Sequence, residues 1–103
     1  MTIDSPRLRP KYMVTRTDDN GHIIGPTMKS ANPDDVDSPF VLMPRKDPAA
    51  FMAMLAYASC CEPSLGNQIR IWLVEIARAP PVYGTQGERN RIAMRMRNIQ
   101  ESG

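Results

Sequence analysis

Aromatic residues make up only 6% of this 103-residue chain, with a single tryptophan, Trp72, and a single histidine, His22. So few large rings imply a modest core. One histidine leaves a hydrolytic triad with no general base but His22, and no serine or cysteine nucleophile can be paired with it from the sequence. Cysteine is confined to Cys60 and Cys61. Adjacent on a helix they point apart, so a disulfide between them would be strained, and the spacing is not that of a metal-ligand pair. They read as two buried free thiols. Excess charge is lacking as well: 13 basic and 11 acidic residues leave a net charge of +2, too balanced for nucleic-acid binding by the chain as a whole. The longest apolar run, Ala49 to Ala58, is about half of what a membrane span needs. Met1 to Pro10 lacks the apolar centre of a signal peptide. These gaps point to a cytosolic protein without a membrane partner, and no internal repeat interrupts it.

What the chain does hold is ten prolines, eight methionines and 42% hydrophobic residues. The prolines predict long irregular stretches around one small globular core. The methionines predict adaptable packing.

The organising stretch runs from Asp47 to Arg78. Asp47 followed by Pro48 is a helix start, because the carboxylate can accept from orphan N–H groups and proline at the first helical position loses no needed donor. Phe51, Met54, Leu55, Ala58 and Cys61 recur at helical spacing and form one face, which Met52, Ala53 and Ala56 widen. Pro63 ends the helix by disfavouring the helical conformation of Glu62. Ser64 can then cap a second helix with Leu65, Ile69, Trp72, Leu73 and Ile76 as its stripe, and Gly66 weakening only its first turn. Ile71 and Val74 lie off the stripe and need cover of their own. A loop this short favours an antiparallel pair.

On either side the signals are weaker. Residues 1–10 read as a flexible arm. Tyr12 to Thr15 has strand propensity, Asn20-Gly21 signals a two-residue hairpin turn, and His22, Ile23 and Ile24 supply a short returning strand. Gly25 to Pro39 reads as a long surface loop. Phe40 to Met43, closed by Pro44, reads as a strand buried on both faces. After the helices, Ala79-Pro80-Pro81 is a stop, Val82 to Gly87 a linker, and Glu88 to Gln100 a third helix with Ile92, Met96 and Ile99 on one face. The expected organisation is an arm (1–10), an α+β core (11–78) with a small antiparallel sheet packed on a helical hairpin, and a linker with a basic third helix (79–103).

Gly25 to Ser30 has the outline of a phosphate-cradling loop, but Met28 stands where glycine is needed before Lys29, and Asn32-Pro33 forbids the helix that should follow. Asp18 to Gly21 lacks the alternating ligands and terminal glutamate of a calcium loop. Asp34, Asp35 and Asp37 could hold a cation or act as acid and base, or stand solvated in their loop. No metal and no cofactor are expected. The charges with most to offer are Arg89, Arg91, Arg95 and Arg97, whose forked donors suit phosphates and carboxylates. A basic amphipathic helix can meet a nucleic acid, an acidic protein groove or a membrane surface, or form the solvated outer side of a docked helix.

Lys11-Tyr12-Met13-Val14, Phe40-Val41-Leu42, Asp47-Pro48-Ala49-Ala50 and Leu55-Ala56-Tyr57-Ala58 give the chain, over residues 11–76, a pattern that resembles small uncharacterised proteins carried by tailed phages and prophages. The Gly25 to Pro39 segment is longer than in that pattern, and nothing in it corresponds to the tail from Ala79. The resemblance implies an accessory role in the cytoplasm of a bacterial host, including blockade of a defence system such as CRISPR–Cas by binding one of its components. It transfers no active site. Two functions of different class are therefore expected: a non-enzymatic inhibitor that binds a host protein, or a small nucleic-acid-binding or nucleotide-binding protein that uses the four arginines. A homodimer that covers Ile71 or Val74 with another chain's tail would serve the surplus apolar surface.

Overall fold

The computed structural model describes residues 8–102. They divide between Val41 and Leu42 into two compact units, whereas the sequence reading placed boundaries after residues 10 and 78. The expected arm falls, through Arg7, outside the described residues. The fold is a small α+β fold with strands β1 (Met13–Thr17) and β2 (Ile23–Lys29) in the first unit and helices α1 (Pro48–Cys60), α2 (Pro63–Arg78) and α3 (Thr85–Ser102) in the second. Among the described residues no helix is long and apolar enough to cross a membrane.

In the first unit β1 and β2 pair antiparallel with Met13 opposite Lys29 and Thr17 opposite Ile23. The returning strand is longer than expected, because it continues through Gly25-Pro26 to Lys29 instead of giving way to a loop. Pro26 is tolerated since the register shifts between Thr15 and Thr17, and a bulge leaves it no ladder bond to donate. The turn also differs from the expected two-residue type. Gly21 N–H donates to Asp18 O at 3.0 Å and Asp18 N–H to His22 O at 2.9 Å, with Gly21 at φ 84°. Asn20 is not left-handed, so the link is a wider turn closed by the glycine.

Beyond β2 the segment expected as an open loop is tied shut. Ala31 N–H donates to Pro39 O at 2.7 Å. The Ser38 hydroxyl donates to Lys29 O at 2.8 Å and accepts from Asn32 N–H at 2.9 Å. Ser30, buried, exchanges hydrogen bonds with Tyr12: its N–H donates to Tyr12 O, and its hydroxyl accepts from Tyr12 N–H. The strand expected over Phe40 to Met43 is absent; those residues are irregular, with Phe40, Leu42 and Met43 exposed. Strand propensity without a partner strand forms no ladder, and here the run carries the chain from one unit to the other, between Pro39 and Pro44.

In the second unit α1 begins as its sequence dictates. Asp47 sits extended at φ −144°, its Oδ1 accepts from Ala49 N–H at 2.9 Å, and Pro48 takes the first helical position. The face read from the sequence is the packed one: Ala58 is buried in the core with Ile69 and Leu73, and Phe51, Met54, Leu55, Cys61 and Ile76 pack around them. Cys60, by contrast, is exposed and Cys61 half-buried, and both are free. Two residues on from Ala58, Cys60 lies on the far side of the helix.

Helix α2 starts two residues earlier than expected. Pro63 is its first residue and Glu62 its N-cap, without a side-chain bond, so Ser64 lies inside the helix and does not cap it. Proline is as good a first residue as a terminator, and here it does both. Its packed side is Gly66, Ile69 and Leu73. Leu65 and Trp72, expected in the stripe, are exposed, with Trp72 at 50%. The reason is Gly66: a Cβ there would overlap the carbonyl oxygen of Ala58. The helices touch backbone to backbone at that point, and this contact turns α2 so that the larger residues on its flank face outward.

Two substitutions test this arrangement. Leu73→Ala should cost about 2–5 kcal/mol by cavity formation, and Gly66→Ala about 1–3 kcal/mol by forcing the helices apart. Urea denaturation reads both; a loss below 1 kcal/mol for Gly66→Ala would show that the contact is not the fulcrum of the hairpin.

Candidate functional site

The third helix is placed by small residues. Gly87, buried in its first turn, leaves no room for a Cβ, which would overlap the carbonyl oxygen of Lys46. One turn on, Asn90 Nδ2 donates to Asp47 Oδ1 at 2.9 Å. The same carboxylate oxygen caps α1, so a single side chain fixes the start of one helix and the seat of another. Gly84 N–H donates to Lys46 O at 3.4 Å, and Glu88 N–H to Gly84 O at 2.9 Å, bringing the helix start in from Thr85 rather than Glu88.

This seating inverts the expected face. Gly87, Asn90, Ala93 and Met94 are buried or half-buried, and Ile92, Met96 and Ile99, expected to dock, are 49%, 52% and 58% exposed. At about 100° per residue the two sets lie on opposite sides of the helix. Reading by residue size chose the wrong stripe; the glycine, asparagine and alanine at helical spacing, beside Met94, were the available signal for close approach. From Arg95 to Ile99 every residue is exposed.

The four arginines divide accordingly. Arg89, Arg95 and Arg97 are exposed. Arg91 is not an outward group: half-buried, its Nε donates to Glu88 Oε1 and Oε2, both at 3.1 Å, and its Nη2 also donates to Oε1. The hydrogen bond from Arg91 holds the Glu88 carboxyl below its ordinary range, with the arginine's charge acting in the same direction against partial desolvation. Glu88 in turn raises the Arg91 pKa further.

Other apolar side chains stand open on the helical unit. Met52 and Tyr57 of α1, and Ile71, Trp72 and Val74 of α2, are all at least half exposed. A shallow groove of about 320 Å³ is lined by Pro48, Phe51, Met52, Ile76, Tyr83 and Met94, with Arg45 as its one charged lining residue.

The remaining candidates serve their own turns. Asp18 Oδ1 accepts from Asn20 N–H and His22 N–H, and its Oδ2 lies 3.4 Å from His22 Nδ1. Asp35 Oδ1 accepts from Asp37 N–H, and Asn32 Oδ1 from Asp34 N–H. Lys29 ends a strand rather than crossing a phosphate loop. Among the described residues no group of three or more histidine, cysteine or acidic side chains is placed to hold a metal.

Asp47→Ala should cost about 1–2 kcal/mol, and a double-mutant cycle with Asn90→Ala should show coupling of at least about 0.5 kcal/mol, read from denaturation midpoints. Additive losses would mean that α3 is not held by this carboxylate. For Glu88, whose folded pKa is depressed, the pair's contribution is complete above the ordinary glutamate pKa and is lost as pH falls through the depressed folded value. Carboxyl carbon NMR should therefore place its titration below the ordinary glutamate range, and Arg91→Gln should return it there. Against known proteins, no family model, no curated protein and no solved structure matches this chain.

Proposed function

We propose that this chain is a non-enzymatic protein-binding module, a phage accessory protein that docks on a host protein and inhibits it. The observation that carries the reading is the amount of large apolar surface left open on the helical unit. Among the described residues the buried apolar side chains of the three helices are Ala50, Ala58, Ile69 and Leu73 alone, while Met52, Tyr57, Ile71, Trp72, Val74, Ile92, Met96 and Ile99 stand exposed on them. Isolated exposed apolar residues need no explanation, but here each helix carries several. Covering what remains open of one such half-exposed side chain is worth about 0.8–1.5 kcal/mol, half the value for full burial, which a partner surface supplies.

Binding rather than catalysis fits the polar groups, since the carboxylates of Asp18, Asp35 and Asp47 are engaged with backbone N–H groups. A component of a bacterial defence system such as CRISPR–Cas is the partner that the phage resemblance implies. The second reading, nucleic-acid binding, draws on the exposure of Arg89, Arg95 and Arg97 along one helix. Salt separates them, because phosphate contacts make affinity fall steeply as salt rises.

Affinity capture from a bacterial host lysate is the test. The expected result is a defined protein retained after nuclease treatment and at raised salt. Capture that disappears with nuclease or follows a steep salt slope would transfer the assignment to nucleic acid. Light scattering of the purified chain shows whether a second copy covers the surface instead.

A further inference from the structure

We infer that α3 is a recognition helix for a partner groove of defined chemistry, apolar along its floor and walled on both sides by carboxylates. The inference rests on the protein-binding reading and narrows it to one helix and one kind of partner surface. Ile92, Met96 and Ile99 form an exposed stripe opposite the side on which Gly87 and Asn90 seat the helix. Arg89 and Arg95, both exposed, flank the stripe at about 60° on either side by helical geometry, about 9 Å apart along the axis. Glu88, the acid of this side, already accepts from Arg91. The stripe is therefore an apolar ridge between two cations.

An amphipathic helix of this form fits a groove whose floor covers the ridge and whose walls answer the cations. A nucleic acid meets the arginines but leaves three large apolar side chains against phosphate. A bilayer covers the ridge, yet the ridge is narrow, and over its first turns the opposite side of the helix seats on the Lys46–Asp47 segment, which leaves Arg97 as the one exposed charge there among the described residues rather than a basic face. The chain's own groove is no match for a second copy of α3, because its single charged lining residue is Arg45.

Calcium-loaded calmodulin, an acidic protein with methionine-rich grooves that open with calcium, is a direct probe. The full chain should bind it with a dissociation constant at or below about 10 μM, and should not bind the calcium-free form. Arg89→Glu combined with Arg95→Glu should weaken binding at least tenfold, as should Ile92→Ser combined with Met96→Ser, with helix content by circular dichroism unchanged in both. Absence of binding to the loaded probe overturns the inference, as does binding that survives charge reversal. Arginine-dependent binding to duplex DNA or to phosphatidylserine vesicles in place of calmodulin overturns it too. With a partner captured from lysate, affinity unmoved by the charge reversal counts against α3 alone, whereas failure to capture any protein counts against the protein-binding reading.

Discussion

The carboxylate of Asp47 is the interaction on which the helical unit depends. It meets two needs at one point in space: the orphan N–H of Ala49 at the start of α1, and the amide of Asn90 on α3. A capping residue is ordinarily a local device. Here the cap also acts as the anchor of a distant helix, and Gly87 permits the approach by leaving the Lys46 carbonyl uncrowded. Because the docked side of α3 is chosen by these small and polar groups, its large apolar residues are left on the other side.

The same logic governs the hairpin. Gly66 against the Ala58 carbonyl lets α1 and α2 touch backbone to backbone, and the buried set then comprises Ala58, Ile69 and Leu73. Arg70 Nη2 donates to that carbonyl at 3.2 Å, so the end of α1 is satisfied by its neighbour. The cost of such close contact is that Trp72, the largest side chain in the chain, has no room between the helices. A unit packed through glycine and alanine leaves its large side chains for other surfaces.

This explains which features were legible in the sequence. The Asp47-Pro48 start and the Phe51–Cys61 face follow from local rules, and the structure has both. Trp72 and the Ile92–Met96–Ile99 stripe were misplaced because hydrophobic periodicity weights large residues, whereas these interfaces are set by where a Cβ is missing. Phe40 to Met43 reads as a strand in isolation, but a strand exists only with a partner. Pro26 reads as a breaker, yet the bulge opposite Arg16 absorbs it. The division of Arg91 from the other arginines needed the rotamers that pair it with Glu88, three residues away.

The span of the Asp47–Asn90 bond bears on the order in which the unit assembles. The bond joins residues 43 apart, while the Ala58–Gly66 contact closes a single short link. Loop-closure entropy grows with separation, so the hairpin can form before α3 has found its seat. In reverse, α3 is the element released first, since it is held by Gly87, a few polar bonds and the half-buried Ala93 and Met94, and adds no residue to the buried cluster of Ala58, Ile69 and Leu73. Amide exchange along α3 would then proceed through a detached state in which α1 and α2 stay folded. The helix that carries the exposed ridge is thus also the one free to reorient without unfolding its neighbours.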